Sequence, residues 1–87
     1  MHEASLMKDL MLKIEAVARE QNACQVVAVS VRLGALSHMS AGHFREHFSL
    51  ASQGTVAAGA ELNIEVLTDT SDPHAQEILL ESVEIAE

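Results

Sequence analysis

Val26-Val27-Ala28-Val29-Ser30-Val31-Arg32-Leu33-Gly34 is the stretch from which the fold follows. Its β-branched residues favour an extended strand from Val26 to Leu33, because branched side chains pack well on a pleated surface. Val27, Val29, Val31 and Leu33 form one face. Val26, Ala28, Ser30 and Arg32 form the other, more polar face, and Gly34 ends the strand. A strand that is apolar on one side and polar on the other suits a sheet covered on one face and open on the second.

Toward the N-terminus, Leu6, Met7, Leu10, Met11, Ile14, Val17 and Ala18 recur at three- and four-residue spacing, with Lys8, Asp9, Lys13, Arg19 and Glu20 between them. This is the pattern of an amphipathic helix, expected from about Ser5 to Gln21. Ser5 is the expected cap at its start, and Asn22 suits a left-handed turn at its end. Toward the C-terminus, Ser40 is placed to cap a second helix that runs to about Ser52. Its apolar side is Ala41, Phe44, Phe48 and Ala51, and Gly54 stops it. Gly59 then introduces a strand from Glu61 to Leu67, in which Leu62, Ile64 and Val66 oppose Glu61, Asn63 and Glu65. Asp69 to Ala75 reads as a turn or loop around Ser71-Asp72-Pro73.

The last strand, from about Gln76 to Ile85, has broken alternation. Ile78 and Leu80 share one parity, whereas Val83 and Ile85 take the other. One extra residue near Glu81-Ser82 restores a single apolar face, so a β-bulge is expected there. The order is helix, strand, helix, strand, strand. A strand–helix–strand unit favours a right-handed parallel crossover, and the short link before the final strand favours an antiparallel pairing. The fold class is α+β: two helices on one face of a three-stranded mixed sheet. Ser30, Arg32, Asn63 and Glu65 suit the uncovered face.

The 87 residues suffice for one small domain, since dividing them would leave neither half a core. With two Phe and no Trp or Tyr, that core is built from Val, Leu, Ile, Met and Ala. The net charge of −8 argues against a nucleic-acid partner, whose phosphates would be repelled. All basic residues lie at or before Arg45, and every Asp and Glu from Glu61 onward stands without a Lys or Arg nearby in sequence. A cation or a basic partner is the compatible ligand class, although acids also simply keep a small domain soluble. Cys24 is the only cysteine, so no internal disulfide forms, in keeping with a reducing compartment. No apolar run approaches the ~20 residues that span a bilayer, and the N-terminus lacks the pattern of a secretory signal. The expected location is the cytoplasm, with no membrane partner.

Met1-His2-Glu3 is the principal candidate site. The α-amine of Met1, the amide nitrogen of His2 and its imidazole can close around one ion, a set of nitrogens suited to square-planar Ni²⁺ or Cu²⁺. His43 and His47, at i and i+4 on the second helix, are a candidate second metal site. The HExxH arrangement of zinc proteases is absent, and both histidines sit toward the polar flank of the Ala41–Phe44–Phe48 stripe, where solvated residues are the plainer explanation. His38 precedes that helix and His74 adjoins Pro73; both read as loop residues. Cys24, with no basic neighbour in sequence, reads as a buried or inert thiol. No nucleophile elbow, P-loop or dinucleotide fingerprint is present, so an enzyme is not expected. Structural zinc needs about four Cys or His ligands in paired spacings, and the chain offers no such knuckle.

Several segments, in order, resemble one family. Met1, His2, Glu3, Ser5 and Leu6 resemble the opening of the HypA/HybF nickel-insertion proteins. Val29-x-Val31-Arg32-Leu33-Gly34-Ala35-Leu36-Ser37 resembles that family's first strand and following loop. Phe44, Arg45, Phe48 and Leu50 match the pattern of its second helix. Gly54-Thr55-Val56-Ala57-x-Gly59-Ala60-Glu61-Leu62-x-Ile64 resembles its second strand and lead-in, and Ile78 to Ile85 is similar to its closing strand. The resemblance implies a metallochaperone that carries Ni²⁺ through Met1, His2 and the neighbouring Glu3 for maturation of [NiFe]-hydrogenase. It implies a nickel-pathway GTPase or the hydrogenase large subunit as partner. Typical members insert a zinc domain with two Cys-x-x-Cys pairs before the closing strand. Here Thr68 to Gln76 fills that place without a cysteine. The expectation is a single HypA-like nickel-binding domain over residues 1–87, with the zinc domain absent and no zinc bound. The alternative is a metal-free paralogue acting as an interaction or regulatory module in metalloenzyme maturation.

Overall fold

Strand β1, Val26–Leu33, is the centre of a three-stranded sheet of order β2-β1-β3. The computed structural model describes residues 3–86, with side chains from Leu6 onward. The elements are α1 (Glu3–Glu20), β1, α2 (Ala41–Ala51), β2 (Glu61–Val66) and β3 (Ile78–Ile85). Strand β2 runs parallel to β1, with Val29 opposite Leu62 and Val31 opposite Ile64. Strand β3 runs antiparallel on the other edge of β1, with Val29 opposite Val83 and Val31 opposite Leu80. The mixed α+β sheet is as expected. The antiparallel partner of β3 is not the strand that precedes it, however. The link from β2 crosses the end of β1 instead: the Leu67 amide donates to the Leu33 carbonyl at 2.9 Å, and the Gly34 amide donates to the Glu77 carbonyl at 2.9 Å.

The bulge expected near Glu81 is present. Ser30 pairs with Ser82 and Val31 with Leu80, so Glu81 is the extra residue. It lets Ile78, Leu80, Val83 and Ile85 all pack against the core. A second bulge lies in β1, where Val26 pairs with Ile85 and Ala28 with Glu84, leaving Val27 over. This corrects the expected faces: Val26 is wholly buried, whereas Val27 is 41% exposed. Ala28 is buried as well, despite its place on the more polar face.

Helix α1 begins at Glu3, so Ser5 lies within the first helical turn and not at a cap. Its end follows expectation. Asn22 takes φ 56°, the Ala23 amide donates to the Ala18 carbonyl at 2.8 Å, and the Asn22 amide donates to the Arg19 carbonyl at 3.1 Å. These two bonds form a Schellman closure, and Ala23 packs on the core beside it. Met7, Leu10, Met11, Ile14 and Ala18 are buried along α1, but Leu6 stays exposed. In α2 the Ser40 hydroxyl accepts from the His43 amide at 3.2 Å, the expected cap. Phe44 and Phe48 are buried, with ring centroids 6.3 Å apart. Both helices and all three strands contribute to one apolar cluster.

The uncovered face of the sheet carries Arg32 between two acids. Its guanidinium lies 3.2 Å from the Glu65 carboxylate on β2 and 2.8 Å from that of Glu81 on β3. Val66 is exposed, although it shares the parity of Leu62 and Ile64, because it sits at the end of an edge strand. No helix of the described residues is long and apolar enough to cross a membrane.

Candidate metal centre

Met1 and His2, the principal candidate ligands, lie outside the described residues. Glu3 is the first residue of α1. The position of that helix start has chemical content. The first N–H groups of a helix have no intrahelical acceptor, and they present the positive end of its dipole.

The second candidate pair is described. His43 and His47 stand one turn apart on α2, with ring centroids 4.7 Å apart and planes inclined by 30°. His43 is exposed and His47 is half-buried. The Ser40 cap fixes the turn from which His43 projects. On its inner side His47 reaches the rim of a groove between the helices, lined by Met7, Met11 and Leu12 of α1 and by Leu50 of α2. Leu12 and Leu50 are the exposed walls of this groove. The α2 frame is also held to the sheet by Arg45, whose guanidinium donates to the Leu62 carbonyl at 3.1 Å. Among the described residues, no group of three or more His, Cys, Asp or Glu is placed to hold a metal ion.

The other candidates are dispersed. His38 is exposed, with φ 60°, just ahead of the buried Met39. His74 lies in the β2–β3 link, where its Nδ1 is 3.0 Å from the Glu77 carboxylate. That hydrogen bond and the carboxylate's charge raise the His74 pKa above its ordinary 6.5. The Glu77 partnership, one helical turn away in sequence, is a signal that a search for metal ligands alone passes over. In the same link, the Ser71 hydroxyl and amide both donate to Asp69, at 2.7 and 3.0 Å, and hold the carboxyl below its usual range. Cys24 is exposed and not buried: in the turn that follows α1, Ala23 packs on the core while Cys24 stays in solvent.

A family model described as "Hydrogenase/urease nickel incorporation, metallochaperone, hypA" matches residues 1–72. The hydrogenase maturation factor HypA of Methylocella silvestris is 36% identical over 67 residues, which is 77% of this chain and 59% of that protein. The factor of the same name from Aquifex aeolicus is 41% identical over 66 residues, 76% of this chain and 57% of that protein. The chain thus covers under two thirds of the length of these relatives. The solution structure of the Ni metallochaperone HypA from Helicobacter pylori superposes with a TM-score of 0.80 at 21% identity, covering 98% of this chain and 97% of that one. A second solution structure, of HypA protein, gives 0.76 at 23% identity and covers 99% and 97%. At that identity the two structures establish the shared fold, including β3, which lies beyond the family-model match. The names of these relatives describe a maturation factor and a metallochaperone rather than an enzyme.

Proposed function

The chain belongs to the HypA family of nickel-incorporation metallochaperones, and on that premise we propose that it takes up Ni²⁺ through Met1 and His2 and passes it to a metalloenzyme client. The observation that carries this reading is the reach of the family match, which begins at residue 1 and so includes Met1-His2-Glu3.

Helix α1 opens at Glu3, and helices leave their first N–H groups without internal acceptors. The amine and imidazole must bind as neutral groups and the amide must lose its proton, so uptake releases protons and weakens as pH falls. A cation ahead of a helix N-terminus is opposed by ~0.3–1 kcal/mol. Amide deprotonation removes one unit of that positive charge, and Glu3, next in sequence, contributes a further negative charge. The balance favours binding, because three nitrogens outweigh so small an opposing field. With three ligands bound, the remaining position is free for a client's donor, which is how the ion leaves.

On this reading the protein works in the cytoplasm, and its partners are a nickel-pathway GTPase or the hydrogenase large subunit. On the same reading residues 1–87 are a single nickel-binding domain without a zinc domain, which the cysteine-free link between β2 and β3 supports. Isothermal titration of Ni²⁺ into untagged protein tests the assignment. His2→Ala should abolish the tight equivalent; unchanged affinity in that variant refutes it.

A further inference from the structure

His43 and His47 are not used by the N-terminal reading, yet their geometry has a chemical consequence. An ion bound at ~2.0–2.1 Å from one nitrogen of each ring, with the nitrogens near a right angle at the metal, sets the ring centroids about 4.5–5 Å apart. The observed separation is 4.7 Å. The two rings thus stand at the separation that a shared ion requires. Turning each ring about its Cβ–Cγ bond, a broad torsion, brings the nitrogen edges together. The scaffold is stiff: the two residues are one turn apart on α2, whose start is capped by Ser40 and whose buried face is anchored by Phe44 and Phe48.

We propose that His43 and His47 form a second metal site, a bidentate imidazole clamp for a borderline divalent ion such as Ni²⁺, with ligands other than Met1 and His2. His43 is exposed and His47 is half-buried, so the ion enters from solvent and keeps its other positions open to water or to a partner's ligand. Two effects make this the weaker site. Among the described residues no third His, Cys, Asp or Glu joins the pair. His43 also lies in the first turn of α2, where the helix dipole opposes a cation and lowers affinity by up to about fivefold. Both point to a labile holding site rather than a permanent one.

Isothermal titration of Ni²⁺ into untagged protein tests the proposal. Two classes of equivalent are expected, a tight one and a weaker one. His43→Gln alone and His47→Gln alone should each remove the weaker class, because a bidentate site fails when either ligand is lost. His38→Gln and His74→Gln should leave both classes in place. Circular dichroism checks that α2 survives each change. Should His47→Gln unfold through its place beside the groove, the exposed His43→Gln decides the matter. In imidazole NMR spectra, the His43 and His47 signals should broaden together as Ni²⁺ is added. A weaker class that persists within twofold in His43→Gln, or that is missing from the native protein, overturns the clamp. The N-terminal reading fails separately: His2→Gln should remove the tight class and leave the weaker one.

Discussion

Replacing Gly34 by Ala should destabilise the domain by about 2–4 kcal/mol, whereas the same change at Gly42 should stabilise it. At Gly34 an added methyl falls onto the Ala75 carbonyl oxygen and comes within 2.8 Å of the Glu77 carbonyl oxygen. Both obstacles are backbone, so no side chain can swing away. Forcing extra volume into such a contact costs ~1–3 kcal/mol. The displacement that relieves it also stretches two hydrogen bonds, from the Gly34 amide to the Glu77 carbonyl and from the Leu36 amide to the Ala75 carbonyl, at 2.9 and 2.7 Å. Each such bond contributes ~0.5–1.5 kcal/mol. The two costs overlap, because one movement produces both. In a domain of this size each kcal/mol shifts Tm by ~4–8 °C, so the expected fall is roughly 8–30 °C. Gly42, in α2, has nothing within 4 Å of an added methyl, and Ala there gains about 0.5–1 kcal/mol of helix propensity. Thermal melts and urea titrations followed by circular dichroism measure both. A Gly34→Ala variant within 0.5 kcal/mol of native on the urea scale would refute the claim that the turn after β1 is locked against the link before β3.

Phe44→Ala removes a fully buried ring from the centre of the core and should cost about 3–5 kcal/mol by urea denaturation, enough to leave a small domain largely unfolded. Arg32→Ala should cost under ~1 kcal/mol, because its pairs with Glu65 and Glu81 are solvent-exposed, and the difference from native should shrink in high salt. The His74–Glu77 pair should help hold the β2–β3 link in acid rather than in base. Since the folded pKa of His74 is raised, its stabilisation is complete below the ordinary 6.5 and is lost as pH rises through the folded value. In NMR titrations the His74 imidazole should move to a lower pKa in Glu77→Gln; an unmoved His74 contradicts the pairing.

The places where sequence and structure agree or part have physical reasons. The Glu81 bulge was readable because Ile78-Leu79-Leu80-Glu81-Ser82-Val83 changes parity, and a parity change needs an extra residue if one face is to stay buried. The bulge at Val27 left no such trace. Val26, Val27, Ala28 and Val29 are all apolar, so a shift by one residue alters nothing in the pattern. Met39, Ala57 and Ala75 are buried in connections, where no period marks them. Gly34 reads as a strand terminator in sequence; that it is needed for close approach to Ala75 and Glu77 depends on β3 crossing to the far edge of β1. At the candidate sites, the i, i+4 spacing of His43 and His47 predicts a shared helix face, and the rings stand 4.7 Å apart on α2. The nickel assignment of Met1-His2-Glu3 rests on its chemistry and on the reach of the family match, since Met1 and His2 lie outside the described residues.

If Met1 and His2 carry the ion, the α-amine must be free. Ni²⁺ titration of untagged protein should therefore show a tight equivalent that disappears when residues are added ahead of Met1, with the circular dichroism spectrum and Tm unchanged. An extended protein that binds Ni²⁺ as tightly as the native one would contradict N-terminal carriage.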